Sequence, residues 1–238
     1  MGVDDCAVQK TTVFRVSLRP ALLAASFVAL ICLVPNAPAQ VDLILNRQRT
    51  ATTFSTESRF FPPDDCAVRE QCVRAAGWRT LLRFDVAVVN IGRGDLVLGD
   101  PTSRPQLFEW SPCHGHYHYR GLINYELFTL RGKLVTRGSK QAFCLRDNYK
   151  YLENAPDSHG YDCENQGLTT GWEDVYDKSL DCQWLDITGI RPGAYTMRAT
   201  VNRNRKLKER NYGNNSFKVR ISIPRRVSIE SSPPEETH

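Results

Sequence analysis

The sequence predicts a mainly β protein, an antiparallel β-sandwich core with long disulfide-pinned loops, and three observations predict it. Apolar residues alternate with polar ones at period two in several segments. No stretch repeats apolar residues at helical spacing with end caps to match, so no convincing amphipathic helix emerges. Six cysteines fall between the alternating segments, where they can tie loops together. At 238 residues, 41% of them hydrophobic, the chain can bury a core and is not of the disordered class. The net charge of +5 comes without a Lys/Arg block of the nucleic-acid type. The densest basic run, Arg203–Arg210, contains Glu209 and reads as a solvated loop.

Taken in order, the chain opens with an address. Arg15 and Arg19 precede an apolar run from Ala21 to Val34, followed by Pro35 and Ala37–Pro38–Ala39. That is the order of a secretory signal, with cleavage expected after Ala39 and residues 1–39 removed. The apolar run is short for a membrane span, so the mature protein is expected to be secreted, with no membrane partner. Cys6 and Cys32 leave with the signal, and Cys66, Cys72, Cys113, Cys144, Cys163 and Cys182 remain. An even number in an oxidising compartment points to disulfides, with fifteen connectivities open. Cys66 and Cys72 are close enough for a small local loop, and no CxxC pair suggests a thiolate zinc knuckle.

Residues from Asp42 to about Pro63 are polar and weakly patterned, an extended lead-in that wraps the domain. From Thr80, Leu82, Phe84, Val86 and Val88 alternate with Arg83, Asp85 and Ala87, the pattern of one half-buried strand. Gly92–Arg93–Gly94 turns the chain into Asp95–Leu98, and Asn124–Leu130 with Lys133–Thr136 flank Arg131–Gly132 as a hairpin. Asp147 to Asp174 is rich in Asn, Gly, Asp and Tyr with little periodicity, a long loop pinned by Cys163. Tyr195–Val201 and Phe217–Ile223 alternate again, and the domain, residues 40–224, ends in a loose tail over 225–238.

Between the strands lies Trp110-Ser-Pro-Cys-His-Gly-His-Tyr-His118, with three of the chain's five histidines at alternate positions. Residues two apart on a strand share a face, so His114, His116 and His118 converge. In a flat strand the outer Cα atoms would lie about 13 Å apart, near the limit one ion can bridge. The strand should therefore bend, and Gly115 makes bending easy. Three neutral imidazoles suit copper, zinc, iron or nickel, and not calcium or magnesium.

Four blocks read together resemble the catalytic domain of the lysyl oxidases: Trp110–His118, Gly138-Ser-Lys-Gln-Ala-Phe-Cys-Leu145, Gln166-Gly-Leu-Thr-Thr-Gly-Trp-Glu-Asp-Val-Tyr176 and Cys182-Gln-Trp-Leu-Asp-Ile-Thr188. The resemblance covers roughly Asp42 to Ile223 and implies a copper-dependent protein-lysine 6-oxidase, a primary amine oxidase. Its expected cofactors are copper on His114, His116 and His118, and lysine tyrosylquinone made by cross-linking Lys140 to Tyr176. Imidazoles serve copper and zinc alike, but oxidising a tyrosine needs a redox-active ion. The quinone captures the amine covalently, a base removes the α-proton, and water releases the aldehyde. Oxygen then restores the quinone with release of hydrogen peroxide and ammonia. For the base the resemblance suggests Asp174. The expected partners are primary amines, among them lysine side chains of extracellular proteins, and molecular oxygen, with no nucleic acid.

The resemblance also implies a calcium site from Asp42, a Leu43 carbonyl, Glu209, Asn214 and Asn215, a hard-cation donor set. Asn211 stands where the family usually has an aspartate, and Asn214-Asn215-Ser216 is a glycosylation sequon in form, which calcium at Asn214 would exclude. Asn124 replaces a histidine found in vertebrate members, which puts more weight on Asp174 as base. By family analogy Cys113 pairs with Cys163, leaving Cys144 and Cys182, whose partners are missing here, to bond each other. Two other classes stay open: a non-catalytic extracellular metal-binding β-domain, and a zinc hydrolase on the same histidines. Neither needs both Lys140 and Tyr176.

Overall fold

The computed structural model describes residues 40–138, 143–157 and 160–225, and the backbone of 228–229. Its elements in chain order are β1 (Leu43–Leu45), α1 (Arg47–Thr52), β2 (Ser55–Phe61), α2 (Cys66–Arg69), β3 (Gly77–Arg83), β4 (Val86–Asn90) and β5 (Leu96–Gly99). Next come β6 (Phe108–Ser111), β7 (His116–Tyr119), β8 (Ile123–Thr129), β9 (Leu134–Arg137), β10 (Tyr149–Lys150), β11 (Gln166–Leu168) and β12 (Trp172–Tyr176). The last four are β13 (Trp184–Asp186), β14 (Gly193–Val201), β15 (Ser216–Ile223) and β16 (Ser228–Ile229). Three four-stranded sheets, β1-β4-β12-β10, β13-β3-β2-β16 and β15-β14-β8-β9, are joined by the pairs β11-β5 and β6-β7. All pairings are antiparallel except β16 on β2.

The mainly β, antiparallel expectation stands, with instructive differences. The single strand read over 80–88 is two strands in two sheets. Asp85 sits at the break: its N–H donates to Thr53 Oγ1 and its carboxylate accepts from Lys178 N–H, so the chain leaves one ladder there and enters another. Every residue of β4 is buried, as in a strand covered on both faces. The polar lead-in contains β1, α1 and β2, and the supposed loop 147–174 contributes β10, β11 and most of β12. The two helices, of six and four residues, are too short to show a period; capping side chains start them, Asn46 accepting from Arg49 N–H and Asp65 from Ala67 N–H. In the tail, Ser228 and Ile229 pair with β2.

The main core draws side chains from all three large sheets, with Phe84 edge-on to Tyr125 at 4.8 Å between centroids. A smaller cluster gathers Phe61, Val73, Leu81 and Trp184 around one disulfide. All six cysteines described are bonded, but in none of the expected pairs: Cys66–Cys113, Cys72–Cys182 and Cys144–Cys163. Cys66 and Cys72 do not close a local loop, because Cys66 lies on α2 facing the histidine turn while Cys72 is buried under Trp184, whose Nε1–H donates to its carbonyl. The Cys113–Cys163 and Cys144–Cys182 expectations fail with it. Cys72–Cys182 closes a separation of 110 residues, about 4–5 kcal/mol in the chain-entropy account.

Candidate metal centre and buried tyrosine

The β6–β7 hairpin carries the histidines. His116 and His118 share one face of β7, while His114 lies in the preceding turn, where Gly115 adopts a φ of +68°. The turn is held by Gly115 N–H donating to the Ser111 carbonyl at 2.9 Å. His118 Nε2 lies 3.2 Å from His114 Nδ1 and 3.1 Å from His116 Nε2. His116 Nδ1–H donates to the His114 carbonyl, which fixes its tautomer and leaves the Nε2 lone pair pointing at its neighbours. One proton cannot satisfy three converging nitrogens; a cation bound by imidazoles can, so the donor set fits such an ion.

Three residues without an assigned role in the sequence reading support this turn. Glu70, at the end of α2, accepts a hydrogen bond from Ser111 Oγ and lies 3.8 Å from His114 Nδ1. Ser111 Oγ in turn accepts from His114 N–H. The Cys66–Cys113 bond brings α2 to the turn, so only the unexpected pairing could have pointed to Glu70. Gln166, fully buried, accepts from Leu145 N–H and donates to the Tyr117 carbonyl, tying the 144–146 segment to β7.

Asp174 and Tyr176 alternate on β12 and so share a face; Tyr176 OH donates to Asp174 Oδ2 at 2.6 Å, and Arg146 N–H donates to the same oxygen. Burial pushes the Asp174 carboxyl up to about 7, against the hydrogen bonds that lower it. Burial and the neighbouring carboxylate raise the Tyr176 phenol well above its ordinary value. Phe143 lies between the two groups. Its ring stacks on Tyr176 at 5.0 Å and meets His118 at 6.0 Å, so one phenyl ring separates the phenol from the imidazoles. Lys140 lies outside the described residues. Asn124 is on the outer face of β8, where its Oδ1 is buried with no hydrogen-bond partner.

The five residues considered for calcium also meet. Leu43 N–H donates to Glu209 Oε2 at 2.7 Å, Asn215 Nδ2 donates to Glu209 Oε1 at 2.8 Å, and Asn214 Nδ2 donates to Asp42 Oδ1 at 2.8 Å. It is the Leu43 amide rather than its carbonyl that reaches Glu209. Asn202, not anticipated, donates to Glu209 at 2.5 Å. The side-chain oxygens of Asn214 and Asn215 are buried without hydrogen-bond partners, so two carboxylates and two orphaned carbonyls fit a hard cation. Burial raises the Glu209 carboxyl. Gly92 lets the lead-in pass: a Cβ there would meet the Gln40 carbonyl at 2.3 Å and the Asp42 nitrogen at 2.7 Å.

Comparison with known proteins adds one consistent family. A family model described as Lysyl oxidase matches residues 41–230. Lysyl oxidase homolog 3 of Homo sapiens is 36% identical over 189 residues, 74% of this chain and 24% of the relative. Lysyl oxidase homolog 2 of Xenopus laevis is 35% identical over 206 residues, 82% of this chain and 26% of the relative. The chain thus spans about a quarter of the length of the curated relatives it matches. A solved CARDB domain from Pyrococcus furiosus overlays with a TM-score of 0.29 at 13% identity, covering 80% of this chain and 90% of that one, too low to argue from.

Proposed function

We propose that this chain, which belongs to the lysyl oxidase family, is a secreted copper amine oxidase that converts primary amines, peptidyl lysine among them, to aldehydes with release of hydrogen peroxide and ammonia. The observation that carries the reading is one phenyl ring's separation between a three-imidazole donor set and a buried phenol on a carboxylate. His114, His116 and His118 would hold copper, and Lys140 and Tyr176 would form lysine tyrosylquinone. Together they supply a redox couple and an electrophilic carbonyl.

The chain's own groups do the rest. Asp174 Oδ2 receives the Tyr176 proton along an existing 2.6 Å hydrogen bond as the phenol is oxidised. Its carboxyl, held near 7, is partly ionised at neutral pH, the condition a general base needs for the amine's α-proton. Both residues are nearly inaccessible, Asp174 at 1% and Tyr176 at 3%, so this proton movement is shielded from bulk water. Asp42, Glu209, Asn214 and Asn215 would hold calcium and clip the lead-in to the C-terminal strands, a role in stability. Residues 1–39 would direct export; among the described residues no helix is long and apolar enough to cross a membrane.

The deciding experiment is mass spectrometry of copper-loaded, aerated protein. A peptide joining Lys140 to Tyr176, absent from Tyr176→Phe, is expected, together with peroxide release from a simple diamine that a carbonyl reagent blocks. Neither cross-link nor peroxide after verified copper loading would sink the assignment in favour of a metal-binding β-domain.

A further inference from the structure

The outer face of the β15-β14-β8-β9 sheet is independent of the chemistry above and carries an unusual row. Strand register sets Arg137 opposite Glu126, Glu126 opposite Arg198, and Arg198 opposite Lys218, one residue from each of the four strands. At about 4.8 Å per strand the row is roughly 14 Å long. Arg203 folds back onto it, 2.9 Å from Glu126, although it begins the run read from sequence as solvated. Arg137 and Arg198 pair with the same carboxylate, which is 4% exposed, so three guanidinium groups share two oxygens. On the next rung Arg220 is opposite Thr196.

Five cations thus lie on one face around a single buried acid. Two features point to a ligand. Like charges directly opposite on neighbouring strands destabilise a sheet, yet Arg198 faces Lys218, and among the described residues no ion pair involves Lys218 or Arg220. Each guanidinium also has five N–H donors in a rigid fork suited to bidentate anions, and Glu126 can occupy few of them. Glu126 holds the forks in fixed positions, which lowers the ordering cost of binding.

We propose that this face binds a sulfated polysaccharide, its sulfate and carboxylate groups bridging the Arg137–Arg198–Lys218 row and the Arg203 and Arg220 positions beside it. Three disulfides fit an oxidising compartment, where extended polyanions are carbohydrates more than nucleic acids. The face also lacks an open aromatic platform for bases, since Arg198 lies over its one ring, Phe128, at 5.0 Å.

The test is titration of the full chain with a heparin oligosaccharide at several salt concentrations. Wild type should bind with log K falling linearly in log salt. The double variant Lys218→Gln, Arg220→Gln changes exposed residues outside the Glu126 contacts; it should bind at least about tenfold more weakly, with the slope reduced by about two. Its unfolding midpoint and its peroxide release from a small diamine should match wild type, and the double swap Lys218→Arg, Arg220→Lys should restore binding. Unchanged affinity and slope in the glutamine variant, or tighter binding of wild type to duplex DNA of matched charge, would overturn the proposal. Either result leaves the oxidase reading untouched, because that reading is scored by the cross-link.

Discussion

Two regions of this molecule gather metal-type donors, and they do so in opposite ways. The histidine site takes its three nitrogens from five consecutive positions of one turn and strand. The oxygen cluster takes its groups from Asp42 and Leu43 at one end of the domain and Glu209, Asn214 and Asn215 at the other. The first draws all its donors from one hairpin, so the donors can be removed without unfolding the protein. The second exists only when β1 is docked, so disrupting it must cost stability. Proximity in sequence makes a site chemically separable; distance in sequence makes it structural.

The largest expected effect that would break this contrast is at the histidines. His116→Ala should lower copper affinity by at least about 100-fold, by competition with a chelating dye, while the unfolding midpoint of the metal-free protein moves by no more than a degree or two. A collapse of the fold would show that the turn is structural after all. Next comes Glu209→Ala, which removes the side-chain acceptor of the Leu43 amide and one of the hydrogen bonds made by each of Asn202 and Asn215. A loss of about 2–4 kcal/mol in urea unfolding is expected, with copper affinity unchanged. Wild type, and not the variant, should lose stability when a calcium chelator is added.

Asp174 sharpens the contrast from the chemical side. Its folded pKa, about 7, lies above its ordinary value of 3.8, so the folded chain keeps a proton that the unfolded chain releases. Its contribution is fully present below about pH 4 and is lost as pH rises through 7. Asp174→Asn should therefore show a smaller fall in stability between pH 5 and pH 8, by an amount on the order of 1–3 kcal/mol. An identical pH profile in the two proteins would contradict the burial argument. The smallest effect is at Glu70→Gln, where copper affinity should drop about tenfold with stability unchanged.

Legibility in the sequence follows the same division. Alternation revealed β14 and β15, the Arg131–Gly132 turn marked β8 and β9, and alternation merged β3 with β4 because β4 is buried on both faces and offers no contrast. The histidines were visible as spacing, and Gly115 bends the chain as the spacing demands. Glu70, Phe143 and Gln166 were not visible as site residues, since their importance lies in contacts across 41, 25 and 49 positions, to Ser111, His118 and Tyr117. Disulfide pairing was the clearest failure. Proximity along the chain and family analogy suggested partners, whereas the places of Cys66 on α2, against the histidine turn, and of Cys72 beyond it, under Trp184, decided two of the three pairs.

Cys113 stands immediately before His114 in the turn, and its sulfur is joined to Cys66 on α2. As a free thiolate it would be a soft donor able to seize copper(I) for itself; joined to Cys66 it is withdrawn from competition. The bridge therefore does two things at once: it occupies a soft sulfur beside the imidazoles and moors their turn to α2, so reducing it would release both.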